Sequence, residues 1–408
     1  MAKKVQNTKP LKKERSDRVA LPNELLAKIA LKRLAGLPDS GRLTPIKEVA
    51  AEYKRAYAVI SRAIPRAFKK RLIEFKALER PALPPVNEDL EHRVLNKYTK
   101  LNVAIVIKTD SSSQDSDAVH RRLGMAMAAF IASGSVIQNG NAVGVGSGRG
   151  VDMTLDCLGY FEKLRARDVK VMSLTGSVYG TPNQATKRTW LDADRHVVQL
   201  AQYFLEEPKQ YLICHPLAYE LADLEKARSR IWLRALDPND EDGRKMDIPA
   251  MTHLLLGVGT VAKNHRFYIE AAAKLKDQEA FLKPIHKLLV RLVSLCETAV
   301  SNFKHLAPFY SPAAEMSNFF FYVPPPPGKI VPNEEEIKSC IRQINARLLN
   351  ALSSIQDHQP LGQLNWLVVA GTKEKAHALR ALLENDRYPV TYLCTDEQAA
   401  LEIVEGRA

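Results

Sequence analysis

The chain has 408 residues, too many for one average domain, and its hydrophobic share of 46% and charged share of 26% are those of an ordinary folded protein. No apolar run reaches the roughly 18–20 residues that a membrane span needs, and residues 1–18 lack the hydrophobic core of a secretory signal. The five cysteines form no CxxC pair, which argues against a disulfide framework and a zinc knuckle. We therefore expect a cytoplasmic protein with no membrane partner, no metal and no cofactor.

The excess positive charge lies at one end of the chain. Residues 1–80 contain 21 Lys and Arg against 8 Asp and Glu, whereas residues 81–408 contain 38 of each sign. Lysine and arginine side chains that neutralise phosphates release counterions, so a basic head on a neutral body favours double-stranded DNA as a partner. Residues 1–17 show no apolar pattern and are expected to form a basic disordered tail.

Residues 18–80 carry an apolar periodicity as well as the charge. Leu21–Leu37 is predicted to be a helix, and Thr44 followed by Pro45 is typical of a helix start with proline at the first helical position. Two short apolar stripes between residues 49 and 63 predict two short helices packed across a tight turn. Residues 72–75 would then form a wing strand. The segment is predicted to be a winged helix-turn-helix, and a three-helix dimerisation or docking module remains the alternative.

The candidate DNA contacts lie on the outward side of the second short helix, in the turn before it and in the basic run after it. Arginine, lysine and serine side chains suit phosphates and base edges in a major groove. The predicted DNA-binding residues are Lys54, Arg55, Tyr57, Ser61, Arg62, Arg66, Lys69, Lys70 and Arg71.

The run VAAEYKRAYAVISRAIPRAFKKRLIEF resembles, without gaps, the helix-turn-helix of the SorC/DeoR-type sugar-operon regulators. Three positions depart from that family's pattern: Lys54 stands at the turn glycine, Arg55 at the following apolar residue, and Ala56 at a serine of the recognition helix. A lysine in the left-handed conformation costs roughly 1 kcal/mol. The turn is therefore expected to be made in another way.

Residues 81–100 form a proline-rich, polar linker, and strands alternate with helices in the predicted sensor domain over 101–408. Each apolar strand runs into a glycine or a small polar residue, which is typical of an α/β fold with a mostly parallel, doubly wound, Rossmann-like sheet. Ligands of such sheets bind beyond the carboxyl ends of the strands. A helical and Pro-rich insertion is expected at about 265–363. Its run FFFYVPPPPG either covers an edge of the core or forms a docking surface.

The loop VGVGSGRG is the clearest candidate binding element. Its glycines would let backbone N–H groups approach an anion, the following helix adds its positive N-terminus, and Ser147 and Arg149 add a hydroxyl and a charged fork. The loop matches neither a Walker A motif nor a strict dinucleotide fingerprint. The alternative is a tight strand-to-helix turn without a ligand.

The order of these segments also resembles the SorC-type sugar-binding domain, most specifically in VVAGTKEKAHALRALL and VTYLCTDEQAA. The resemblance covers roughly residues 44–264 and 364–405, with Thr372 replacing a second glycine and Gly150 standing where the family often has threonine. It implies that the phosphate of a sugar phosphate, or of a similar small anion, is bound here. The implied effector-binding residues are Gly146, Ser147, Gly148, Arg149, Gly176, Gly259, Gly371 and Lys375.

Together these features predict a DNA-binding transcriptional regulator without catalytic residues. Its α/β domain would bind a phosphorylated small-molecule effector and control the geometry of a homo-oligomer, a dimer or a tetramer. One alternative is a DNA-associated structural or interaction protein whose pocket has lost its ligand. A second is a sugar-phosphate isomerase-like or transferase-like enzyme, for which Glu374 and Glu397 are candidate acids.

Overall fold

The chain divides into two units, Met1–Arg80 and Pro81–Ala408, and each is described by itself. The structure is a computed structural model. It describes residues 22–34, 44–55, 57–63, 66–67, 82–109, 116–175, 193–212, 251–261, 279–303, 310–348, 350–352 and 364–405. Among the helices of these ranges, none has the length and apolar character to cross a bilayer.

Three helices form the described part of the basic head. They are α1 (Asn23–Leu34), α2 (Ile46–Glu52) and α3 (Tyr57–Ser61). Their apolar sides meet in one small cluster, whose buried members are Leu26, Ile29, Ala30, Val49, Ile60, Ala63 and Ala67. The predicted pair of short helices packed across a turn is thus present, while the wing predicted at residues 72–75 lies outside the described residues.

Helix α2 begins one residue later than predicted. The carbonyl of Pro45 accepts the first helical bonds, from the N–H groups of Glu48 at 3.1 Å and Val49 at 3.3 Å, so Pro45 is the N-cap. The Thr44 hydroxyl instead donates to the carbonyl of Lys32 at 2.9 Å. Thr44 therefore ties α2 to the end of α1 and does not cap α2.

The turn between α2 and α3 is made by Lys54, which has a φ of 47°. The N–H of Arg55 donates to Ala50 O at 3.0 Å and the N–H of Lys54 to Ala51 O at 3.3 Å, the two bonds of a Schellman motif. This motif needs a left-handed residue after the helix, and glycine is the usual one. The expectation that the chain would avoid a left-handed lysine here is wrong.

The second unit, Pro81–Ala408, is called the sensor unit below and is built on one large sheet. Its strands are β1 (Val103–Ile107), β2 (Ala142–Val145), β3 (Lys170–Ser173), β4 (Lys209–Tyr211), β5 (His253–Thr260), β6 (Ala313–Met316), β7 (Phe319–Tyr322), β8 (Asn365–Val369) and β9 (Val390–Asp396). Seven strands lie in the order β1-β9-β8-β5-β2-β3-β4 and all pair in parallel. Strand β6 is antiparallel to β5 and to β7. The predicted α/β fold with a mostly parallel sheet is confirmed.

Helices cover both faces of this sheet. They are α4 (Glu88–Lys97), α5 (Ser116–Ala132), α6 (Arg149–Leu158), α7 (Ala193–Ala201), α8 (Glu279–Phe303), α9 (Glu334–Asn345), α10 (Ala376–Glu384) and α11 (Glu397–Glu405), with a 3₁₀ turn at Lys373–Lys375. Buried residues of α5, α6 and α7 form one apolar cluster, and those of the other five helices form a second. The sheet is therefore the middle of three layers.

The direction of the chain across the sheet reverses between β2 and β5. From β2 the chain proceeds through β3 to β4 at one edge, whereas from β5 it proceeds through β8 to β9 on the other side. In open parallel sheets the crevice at such a switch point, beyond the carboxyl ends of the strands, is where ligands bind. The loop after β2 and the residues after β8 and β9 belong to this edge.

The insertion contributes the hairpin of β6 and β7 and helices α8 and α9. Phe319, Phe320 and Phe321 are 1%, 3% and 5% exposed, so the aromatic run covers the core, the first of the two predicted alternatives. The hairpin extends β5 beyond the parallel sheet, with Gly259 paired to Glu315. It therefore reaches the carboxyl-terminal edge where the candidate site lies.

Candidate functional site

The described DNA-binding candidates lie on the exposed side of the two short helices of the head, in the turn between them and just after them. Lys54, Arg55, Tyr57, Ser61, Arg62 and Arg66 are all exposed, Tyr57 to 59%. Ile60 and Ala63 of the same segment point into the head's core. Lys69, Lys70 and Arg71 lie outside the described residues. The structure thus leaves one aromatic ring and one hydroxyl exposed on α3, with exposed cations in the turn before it and in the residues after it.

The glycine loop, residues 146–150 after β2, packs closely against the neighbouring strands β5 and β8. Gly146 N–H donates to Leu255 O of β5 at 2.9 Å. Gly148 has a φ of 129°, and a Cβ there would lie 3.6 Å from Gly257 Cα. A Cβ on Gly150 would lie 2.5 Å from Val369 O of β8. Side chains are therefore excluded at Gly150, which accounts for the glycine where the resembled family often has threonine.

The turn of the β6–β7 hairpin sits on this loop. Ser317 and Asn318 have φ values of 48° and 65°, as a two-residue type I′ turn requires. The Ser317 hydroxyl donates to Ser147 O at 3.0 Å, and the Asn318 amide donates to Ser147 Oγ at 2.9 Å. Ser147 is only 2% exposed as a result. Its hydroxyl, predicted to meet an effector, already has a protein partner.

Two cations lie beside the loop. Arg149 Nη1 pairs with Asp117 Oδ1 at 2.7 Å, and Lys375 Nζ lies 2.9 Å from His120 Nε2. Burial, with a smaller contribution from the nearby Arg149 guanidinium, lowers the pKa of Lys375 to about 8. Two cations repel each other in a partly buried site, and an anion bound between them would stabilise the charged form of both.

Two buried carboxyl groups complete this edge of the sheet. Burial raises the pKa of Asp396, although Ala399 N–H donates to it at 2.9 Å and Thr372 N–H also donates to it. Burial likewise raises the pKa of Glu315 to about 7, and its Oε2 accepts the Asn318 N–H at 2.8 Å. Both groups act on Lys375 and favour its charged form. Carboxyl oxygens in such a site can accept hydrogen bonds from the hydroxyls of a sugar.

Close packing holds the predicted residue Gly371 next to Asp396. A Cβ on Gly371 would lie 2.5 Å from Asp396 Oδ2 and 2.6 Å from Leu123 Cδ1. The following residue, Thr372, has a φ of 80°, where the resembled family has its second glycine. The candidate acid Glu397 instead accepts the Asn87 amide at 2.6 Å and the Thr109 N–H at 3.2 Å, away from Lys375.

The structure brings together part of the predicted effector set. Arg149, Gly371 and Lys375 lie at the carboxyl-terminal edge of the sheet, Gly146–Gly148 lies next to the hairpin turn, and Gly259 lies in the strand that pairs with the hairpin. Gly176 lies outside the described residues. Within the described ranges no group of three His, Cys, Asp or Glu side chains is placed to hold a metal ion.

Sequence reasoning missed three side chains at this edge of the sheet. They are His120, Glu315 and Asp396. Asp396 could have been found, because it ends a predicted strand in the motif VTYLCTDEQAA. Nothing in the sequence places Glu315, which belongs to the insertion.

Comparison with protein families gives one match. Residues 86–279 match the family described as "Putative sugar-binding domain". The segment runs from the linker through β5 and includes the glycine loop. No curated protein matches the chain.

Several solved structures are similar to the chain at low sequence identity. The full-length sorbitol operon regulator SorC from Klebsiella pneumoniae has a TM-score of 0.48 and 15% identity, over 94% of this chain and 99% of that one. The domain described as "Putative Sugar-Binding Domain of Transcriptional Repressor from Vibrio fischeri" has a TM-score of 0.49 and 15% identity, over 79% of this chain and 99% of that one. A DeoR family transcriptional regulator from Listeria monocytogenes has a TM-score of 0.46 and 14% identity, over 78% and 98%.

Proposed function

We propose that the chain is a DNA-binding transcriptional regulator of the SorC/DeoR type. The motifs of the sequence support this proposal, and so does the match of residues 86–279 to the family described as "Putative sugar-binding domain". The sensor unit binds a phosphorylated sugar or a similar small anion, and the bound effector changes the geometry of a homo-oligomer. The observation that carries the effector part of the proposal is the pair Arg149 and Lys375, two cations beside the glycine loop at the switch point of the sheet.

The geometry supports an anion with hydroxyl groups. Helix α6 begins at Arg149 behind Gly148, which gives it no side-chain cap, so its first N–H groups and its dipole favour a negative charge. Arg149 and Lys375 supply two formal charges for a phosphate, and Glu315 and Asp396 supply acceptors for sugar hydroxyls. The Arg149–Asp117 ion pair is exposed and weak, so Arg149 can exchange partners at little cost.

The head supports DNA binding through charge and exposure. Arg55 and Arg62 are exposed on a folded helix-turn-helix, within a segment that carries the whole net charge of +13. Exposed cations on a rigid helix can contact the phosphate backbone and the base edges of a duplex.

DNA binding is tested with the full chain and a fluorescent duplex of random sequence, titrated at several salt concentrations. Each lost phosphate contact reduces the slope of log K against log salt by about 0.9. We expect the double variant Arg55→Ala with Arg62→Ala to lower the slope by up to about 1.8 and the affinity at least tenfold. A control with the same change of charge is Arg165→Ala with Arg167→Ala on the sensor unit. Equal behaviour of the two double variants would refute a DNA-binding role for the residues that flank α3.

Effector binding is tested by calorimetry with inorganic phosphate, hexose phosphates and the corresponding unphosphorylated hexoses. A phosphorylated ligand should bind at micromolar concentration, and Lys375→Met should weaken it at least tenfold, since a charge-assisted bond contributes about 1.5–3 kcal/mol. Lys373→Met is the matched control, because Lys373 belongs to the same 3₁₀ turn but pairs with Glu402 at 3.2 Å. Equal loss in both variants, or tighter binding of the unphosphorylated sugar, would refute the phosphate assignment. Light scattering with and without the ligand tests the change of oligomer geometry.

A second candidate function is favoured by the hairpin turn. Ser317 and Asn318 occupy both the carbonyl and the hydroxyl of Ser147, as they would if the loop no longer received a ligand. In that case the chain is a DNA-associated interaction protein. Retained DNA binding together with no heat from any ligand of the panel would select this second function.

A further inference from the structure

We propose that His196, which no motif singled out, positions the glycine loop: its Nδ1–H holds the carbonyl of Gly146, and Asp152 holds the ring in that orientation. The functional importance of the loop rests on the proposed function, whereas the positioning itself does not. His196 belongs to α7 and Asp152 to α6, so the pair joins two helices to the end of β2.

The two contacts of the ring are buried. His196 Nδ1 lies 2.9 Å from Gly146 O, and His196 Nε2 lies 3.3 Å from Asp152 Oδ1. His196 is 0% exposed and Asp152 is 6% exposed. A Cβ on Gly146 would clash with Ser317 Oγ, so the loop is packed closely against the hairpin turn at this residue. The ring therefore holds Gly146 from one side while Ser317 blocks it from the other.

The chemistry of the two acceptors determines where the protons are. A backbone carbonyl oxygen only accepts, so Nδ1 of His196 must carry a hydrogen. Nε2 is then the ring nitrogen that faces Asp152 Oδ1, and this contact fixes which way the ring is turned.

A second carboxyl group, Asp156, also joins α6 to α7 near the ring. Asp156, one turn after Asp152 on α6, accepts the Gln199 amide of α7 at 2.7 Å. Burial raises the pKa of Asp156, and the Asp152 carboxylate raises it further. Arg195 and His196 act in the opposite sense on the same group. Asp156 thus joins α6 to α7 through Gln199, whereas the bond from His196 Nδ1 to Gly146 O is the contact that reaches the glycine loop.

The inference is tested in the full chain with His196→Asn and His196→Leu. The asparagine amide lies where Nδ1 was and can still donate to Gly146 O, but it loses Asp152, whereas leucine loses both bonds. We expect amide hydrogen exchange of the loop, followed by mass spectrometry, to be about tenfold faster in His196→Leu and within about threefold of the wild type in His196→Asn. Equal acceleration in both variants, or none in either, would overturn the proposal.

A second measurement does not depend on whether a leucine variant folds. In wild-type protein with ¹⁵N-histidine, the Nδ1 of His196 should carry its hydrogen, and in Asp152→Asn it should still do so, because the asparagine amide can donate to Nε2 of the neutral ring. A bare Nδ1 in either protein would overturn the assignment. Inorganic phosphate, titrated into the same variants, should bind about tenfold more weakly to His196→Leu than to His196→Asn. If wild-type protein binds neither inorganic phosphate nor any hexose phosphate, the proposed effector binding fails, while the exchange and ¹⁵N results still decide the role of His196.

Discussion

Replacement of Thr372 by glycine should stabilise the sensor unit. Thr372 has a φ of 80° and a ψ of 143° in the turn that leads from β8 to Lys375. This region is nearly reserved for glycine, because the Cβ of any other residue meets the backbone, and a β-branched residue there is an outlier. The hydrogen bond from Thr372 N–H to Asp396 is made by the backbone and survives the change.

The size of the effect follows from two opposing contributions. Relief of a residue held in such a region is worth about 1–3 kcal/mol. The greater freedom of glycine in the unfolded chain offsets about 0.5–1 kcal/mol of this. The net expectation is a gain of about 1 kcal/mol in the free energy of unfolding, or about 0.3 M in the urea midpoint at an m-value near 3 kcal/mol/M.

Tryptophan fluorescence during urea unfolding measures this gain without interference from the head, since all three tryptophans, Trp190, Trp232 and Trp366, belong to the sensor unit. Thr372→Ala is the matched control: it removes the threonine side chain beyond Cβ but keeps the strained backbone, so it should gain less than half as much. If the alanine variant is stabilised as much as the glycine variant, the side chain and not the backbone is the source, and the reasoning fails.

Three further results are expected. Lys54→Gly should stabilise the head by about 1 kcal/mol, because glycine adopts the left-handed conformation of the Schellman turn without steric strain. Thermal unfolding of the head, followed by helical circular dichroism, measures this gain. Gly146→Ala should destabilise the sensor unit by about 1–3 kcal/mol in urea unfolding, and Ser317→Gly should rescue it by removing the atoms that the new Cβ meets. Burial raises the pKa of Glu315 to about 7, so between about pH 4.5 and 7 the folded state holds a proton that the unfolded state has released. The free energy of unfolding of the wild type should therefore fall as pH rises through this window. Glu315→Gln, which cannot titrate, should abolish this fall.

Local patterns of the sequence predicted the frame of the site. The apolar run before Gly146 and the helical spacing after Arg149 were enough to predict a strand, a loop and a helix, and β2 and α6 are found there. Parallel pairing then brings the ends of β2, β5, β8 and β9 to one edge, so Arg149 and Lys375 were expected close together. These predictions succeeded because strand alternation, glycine turns and helix periodicity are local properties.

The hairpin over the loop could not be predicted in this way. Ser317 and Ser147 are 170 residues apart in the chain, and no local pattern joins them. The insertion showed only an aromatic run, from which burial could be expected but not the register that puts Ser317 and Asn318 over Ser147. The role of His196 could not be predicted either, because an isolated histidine on an amphipathic helix has no sequence signature that distinguishes a structural bond from a functional one.

The two left-handed residues Lys54 and Thr372 share one physical explanation. Each stands where the resembled family has glycine, and each keeps the backbone conformation of glycine at a cost of about 1 kcal/mol or more. Such strain persists where the surroundings over-determine the conformation, and it gathers at sites of function. At Lys54 the side chain gained is an exposed cation on the candidate DNA surface. If that cation meets a phosphate, Lys54→Gly should stabilise the head and at the same time reduce the salt slope of DNA binding by about 0.9. A more stable head with an unchanged slope would mean that Lys54 makes no contact with DNA and that its strain serves no function there.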